Sequence, residues 1–129
     1  MIKGIVATVL ALVVFGFFFF TNVGKPISSD LSIIGQGKPV LALAYENFSP
    51  TGGDALTHLQ EIKNDYDSRL SFVIADLGTP QGRTIADRYR LRDGLAVFLD
   101  KDGQALLVTN IPADQRELRS ILDNQLTSR

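Results

Sequence analysis

The spacing of two short apolar runs limits the fold more than any other feature. "PVLALAY" (39–45) and "LSFVIAD" (70–76) are short and rich in β-formers, as buried strands are. Between them, "DALTHLQEIKNDY" (54–66) sets Leu56, Leu59, Ile62 and Tyr66 at helical spacing. Asp54, directly after Gly52 and Gly53, is the expected N-cap of that helix. Two strands joined by a helical crossover lie parallel. A second helix is expected after Thr79 as N-cap and Pro80 as first helical residue, with Ile85, Ala86 and Tyr89 facing the core. The pattern then changes. "LAVFL" (95–99), "DKDG" (100–103) and "QALLVTN" (104–110) form a hairpin signal, because the Asp-Gly pair supplies the positive φ of a tight turn. In "PADQRELRSILDNQL" (112–126), Leu118, Ile121, Leu122 and Leu126 make one apolar helical face. The order β-α-β-α-β-β-α predicts an α/β domain with a mixed four-stranded sheet flanked by helices.

The amino-terminal part is of a different kind. "IVATVLALVVFGFFFF" (5–20) carries no charge. Extended to Val23 it reaches roughly 19 residues, near the ~20 that span a bilayer core. Two readings compete, a cleaved signal peptide and an uncleaved anchor. The run is long for a signal peptide, and "TNVGKP" after it lacks a small-x-small cleavage pattern, so the anchor is favoured. Lys3 and Lys25 flank the run and give only a weak orientation bias. A short amino-terminal tail left inside places the soluble part outside, on the periplasmic side of a bacterial inner membrane. The expected division is a transmembrane helix over 1–23, a Gly/Ser/Pro-rich linker over 24–36 and the α/β domain over 37–129; within the linker Leu31, Ile33 and Ile34 make a short apolar piece that fits a first short helix or strand packing on the domain. "FGFFFF" (15–20) has two open readings, interfacial anchoring and packing against other membrane helices beside Gly16.

Composition excludes several function classes. Thirteen Lys and Arg against 14 Asp and Glu give a net charge of −1, so nucleic acid is not an expected partner. With no cysteine there is no disulfide, thiolate nucleophile or cysteine-ligated metal, and one histidine, His58, does not make a metal site. No cofactor is expected.

The domain also resembles the thioredoxins residue by residue. "GKPVLALAYENFSPTGGDALTHLQEI" (37–62) is similar to their first strand, active-site turn and first helix, and lies on "GKPVLVDFWAxWCGPC" without a gap. "YRLRDGLAVFLDKDGQ" (89–104) is similar to "YGIRSIPTLLLFKDGE". The resemblance covers the whole soluble domain, with about two extra residues placed near Gly78, and implies a thioredoxin-like fold. It also implies that the reactive atoms are gone. Ser49 and Gly52 stand where the two cysteines would be, Phe48 for the tryptophan, Leu43 for the buried acid and Leu95 for the cis-proline. Disulfide exchange needs a thiolate and a resolving thiol, and neither exists here. Leu95 predicts a trans Gly94–Leu95 bond, since a non-proline cis bond costs about 2.5–4 kcal/mol.

The implied function is non-catalytic. It is an interaction, assembly or accessory subunit of a membrane complex, whose partners are the membrane and other membrane-protein subunits. The expected contact face is Phe48, Ser49, Pro50, Thr51, Gly52, Gly53 and Leu95. Ser49 as a nucleophile lacks a base and an orienting group, because His58 lies more than two helical turns away. The alternative is a cysteine-free module that binds a glutathione-like thiol or a peptide, with transferase-type activity, but a small-molecule ligand is not favoured. "TPQGR" (79–83) reads as ordinary helix capping. Arg83, Arg88, Arg90 and Arg92 form a basic surface, expected to be a solvated face or a contact for an acidic partner or headgroups.

Overall fold

The structure, a computed structural model, describes residues 26–127. The expected transmembrane helix over 1–23 lies outside them. Among the described residues no helix is long and apolar enough to cross a membrane.

Four strands, β1 (Val40–Tyr45), β2 (Ser71–Asp76), β3 (Leu95–Leu99) and β4 (Ala105–Asn110), form one sheet in the order β2-β1-β3-β4. β1 and β2 are parallel; β3 is antiparallel to β1, and β4 to β3. Helices α1 (Pro50–Tyr66), α2 (Pro80–Tyr89) and α3 (Gln115–Thr127) complete the order read from the sequence. The last helix begins three residues after its expected start, where the Asp114 carboxylate accepts from the Arg116 N–H at 2.8 Å.

The two central strands are buried on both faces, which is why they read as continuous apolar runs and not as alternation. On one face Leu41, Leu43 and Phe98 pack against Leu59 and Ile62 of α1 and Leu118 and Leu122 of α3. On the other, Val40, Ala42, Val97 and Leu99 pack against Ala86 of α2 and Leu91. Of the expected α2 core residues, Ala86 is buried and Ile85 and Tyr89 are half-buried. β4 is an edge strand, and its Leu106 and Val108 are 40% and 44% exposed.

The segment expected to be a linker folds onto the sheet over much of its length. Ile27 is buried in the α1 face of the core, and Ser28 pairs in parallel with Val73 on the outer edge of β2. Leu31–Ile33 form a 3-10 turn, and Leu31, Ile33 and Ile34 pack under the α2 face. Asp30 caps that turn, accepting from the Ser32 N–H at 3.1 Å.

Close approach fixes the junction between β2 and α2. Thr79 caps α2 as expected, its hydroxyl accepting from the Gly82 N–H at 3.0 Å and donating to the Asp76 carbonyl at 2.9 Å. A Cβ on Gly82 would lie 1.9 Å from the Asp76 carbonyl oxygen, so only glycine fits there. In the β3–β4 turn, the Asp100 carboxylate accepts from the Asp102 and Gln104 N–H groups at 2.8 and 2.9 Å, and Gly103 takes the positive φ.

Candidate functional site

The turn between β1 and α1 sits at the carboxyl-terminal end of β1, opposite the loop that leads into β3. The Gly94 N–H donates to the Ala44 carbonyl at 2.9 Å and holds the two together. No cis peptide bond occurs among the described residues, so Gly94–Leu95 is trans as expected. The loop bends instead at Gly94, whose φ is +88°.

The expected N-cap at Asp54 is not the start of α1. The helix begins at Pro50, with Ser49 in the N-cap position, and Asp54 is an exposed residue inside its first turns. The physical reason is long-range. The first N–H groups of any helix lack intrahelical partners. Here Ser49 makes no side-chain cap bond, and Asp93 supplies the acceptor from across the gap. One oxygen, Oδ1, accepts from the Glu46 N–H at 2.8 Å. The other, Oδ2, accepts from the Gly52 N–H at 3.1 Å and from the Ser49 hydroxyl. The carboxylate thus sits at the positive end of the helix, where negative charge is favoured.

Two glycines make this approach possible. A Cβ on Gly52 would lie 2.1 Å from Asp93 Oδ1, and one on Gly94 would lie 2.5 Å from Thr51 Cγ2. Gly52 is therefore the residue that admits an acceptor to the helix end, and it is buried.

Chemically the turn is closed. The Ser49 hydroxyl is half-buried and donates to Asp93. His58 does not approach it; its Nδ1 lies 3.9 Å from the Glu61 carboxylate, is buried and has no hydrogen-bond partner. No nucleophile–base–orienter chain forms around Ser49. Among the described residues no cluster of His, Asp or Glu could hold a metal ion. A cavity of about 420 Å³ lies elsewhere, beside β2, lined by residues that include Asp30, Asp76, Thr79 and Gln81. Its carboxylates are engaged by their neighbours, Asp30 by Ser32 and Asp76 by the Gly78 N–H.

What the turn does present is Phe48. Its φ is +66°, the left-handed region that L-residues avoid, and its side chain is 100% exposed. Pro50 and Thr51 beside it are exposed, Gly53 is half-buried, and Leu95 is half-buried against the α2-side core. The expected face thus divides: Phe48, Pro50 and Thr51 reach solvent, whereas Gly52 is turned inward.

Arg83, Arg88, Arg90 and Arg92 are all exposed, and no ion pair of the described residues involves them. Arg90 is the left-handed C-cap of α2, its N–H bonding back to the Ala86 and Asp87 carbonyls. Only Arg83 and Arg88 lie on the helix itself.

Asp93 is absent from the site residues expected from the sequence. The available signal was its place two residues before Leu95, on the loop that the resemblance sets against the turn.

No family model matches the chain, and no curated protein does. Solved structures do. An uncharacterised thioredoxin-like protein from Clostridium perfringens is 20% identical with a TM-score of 0.64, covering 84% of this chain and 82% of that one. Trxlp from Edwardsiella tarda is 16% identical with a TM-score of 0.57, covering 68% and 84%. The germline-specific thioredoxin Deadhead of Drosophila melanogaster is 15% identical with a TM-score of 0.56, covering 70% and 83%. Likeness at such low identity speaks to the fold alone: the described chain has a thioredoxin-like fold.

Proposed function

We propose that this chain is a non-catalytic, membrane-anchored thioredoxin-like protein that contacts a partner subunit through the Phe48 turn. The observation that carries the reading is the combination at that turn. A fully exposed aromatic side chain is held in a left-handed conformation, while the neighbouring serine and amide donors are turned inward onto Asp93. Such a turn has nothing to react with and one large apolar group to offer. Aromatic side chains of this kind are frequent anchors of protein interfaces. In this reading the turn is a degenerate active site, the run 5–23 is the anchor, and the domain lies on the extracytoplasmic side as an assembly or accessory subunit.

A thiol-binding role finds less support. The helix end that would stabilise an incoming thiolate is already occupied by the Asp93 carboxylate.

The test is affinity capture of the full chain from native membranes. Phe48→Asp should lose a partner that wild type retains, while Arg88→Glu, on the α2 surface, should keep it. Both positions are exposed, so both variants should fold. Equal retention by Phe48→Asp and wild type would refute the proposal.

A further inference from the structure

We infer that the anchor holds the domain with the Phe48 turn at the pole away from the bilayer, so that its partner is the extramembrane part of a protein. This rests on the anchor reading above.

Pro26 and Ser28 share a small cavity with Lys38, Lys63, Asp67 and Ser71. Lys38 lies just before β1, Ser71 opens β2, and Lys63 and Asp67 stand at the end of α1. The Lys38 ammonium donates to the Asp67 carbonyl and ties that end together. The chain therefore joins the domain at the pole where β1 and β2 begin. Because β1 and β2 are parallel, both run away from it, and the Phe48 turn follows the far end of β1.

A strand rises about 3.3 Å per residue, so β1 alone separates the two poles by about 17 Å, and the turn extends the span to about 20 Å. Ile27 is fixed in the core, and the Ser28 carbonyl accepts from the Ile74 N–H at 2.9 Å. Four chain steps lead from Val23, the end of the apolar run, to Ile27, and at full stretch they span about 14 Å. Ser28 is level with Val73 and Ala42, so Ile27 stands level with Leu41, about 16 Å from the turn; inverting the domain to place Phe48 on the lipid would lift Ile27 by that much, farther than those steps reach. An exposed phenylalanine on an anchored domain invites two readings, insertion into lipid or contact with protein. The tether length excludes the inverted orientation that full insertion of the turn requires, and contact with protein is the occupant inferred here.

The chain contains no cysteine, so single cysteines can be added without removing any. Asn47 beside Phe48 and Ser68 at the opposite pole are both exposed. Asn47→Cys and Ser68→Cys in the full chain would each carry a fluorophore, in liposomes containing a headgroup-attached quencher. Quenching at position 68 should be several-fold stronger than at position 47. Equal or stronger quenching at 47, in protein that co-floats with the liposomes, overturns the orientation and leaves the anchor standing. Failure to co-float overturns the anchor and the orientation with it. A photo-crosslinker at position 47 in native membranes should join extramembrane peptides of the partner; adducts on a membrane-embedded helix would overturn the assignment.

Discussion

Replacing Asp93 with alanine should destabilise the domain by unfastening the start of α1 from the loop before β3. Three donors lose their acceptor: the Glu46 N–H, the Gly52 N–H and the Ser49 hydroxyl. The Glu46 amide is exposed and water replaces the carboxylate at little cost, about 0.5 kcal/mol. Gly52 is buried and Ser49 half-buried, so each should lose about 1 kcal/mol. The charge at the helix end adds about 0.3–1 kcal/mol. The total is about 3 kcal/mol, and for a domain of this size that lowers Tm by about 12–24 °C. Asp93→Asn, with one acceptor oxygen in place of two, should lose about half as much. Thermal unfolding of the full chain in detergent followed by circular dichroism reads the order, and hydrogen exchange at the Gly52 amide reads the place. Gly52→Ala provides a coupling check. Its Cβ would lie 2.1 Å from Asp93 Oδ1, so its penalty should shrink in the Asp93→Ala background. The reasoning fails if Asp93→Ala melts within about 2 °C of wild type, a shift too small for even 1 kcal/mol in such a domain, with Gly52 exchange unchanged.

Phe48→Gly should leave Tm unchanged or raise it by a few degrees. It removes a left-handed L-residue, a strain of about 1 kcal/mol, and sacrifices no buried surface; a clear fall in Tm would mean that the ring supports the fold. Gly82→Ala should cost about 3 kcal/mol or more, because its Cβ would collide with the Asp76 carbonyl. Gly53→Ala, with no atom within 4 Å of its Cβ, should gain up to about 1 kcal/mol in the helix; chemical denaturation that ranks the two the other way would refute the packing argument. Burial, and then the hydrogen bond to Asp123, raises the Tyr66 pKa above the usual tyrosine value. The fold therefore favours the neutral phenol. That contribution is complete below about pH 10 and fades as pH climbs through the raised folded value. Tyr66→Phe should flatten the alkaline fall in stability, and an unchanged slope would assign the fall to other groups.

The strands were legible because β1 and β3 are buried on both faces, and apolar runs of five to seven residues bounded by turn signals leave little else to be. The hairpin and the start of α2 were legible for a different reason: Gly103, Thr79 and Pro80 act within a few residues of themselves. The start of α1 was not. Asp54 after two glycines has every local mark of a cap, but the acceptor that fixes the helix stands 41 residues from Gly52. No local pattern encodes a partner at that distance. Within 24–36 the packing of Leu31, Ile33 and Ile34 was legible as an apolar piece, whereas the burial of Ile27 was not. A Gly/Ser/Pro-rich composition reads as a spacer, and one buried isoleucine, Ile27, carries no periodicity that could say otherwise. Phe48 was visible as a position through the resemblance, whereas its full exposure and left-handed backbone follow from how the turn is pinned.

Pairing between Ser28 and β2 also has a mechanical consequence. A pull through the amino terminus meets a segment that runs alongside β2 in the same direction, so the load first falls in shear on the Ser28–Ile74 hydrogen bond and the socket of Ile27. These are few contacts beside the continuous ladders of the sheet. Under tension the strap gives way before the strands do. Release of residues 27–38 frees about 40 Å of chain at full extension. On the anchor reading proposed above, the same twelve residues would hold the domain close at rest and act as a force-limited extension under load.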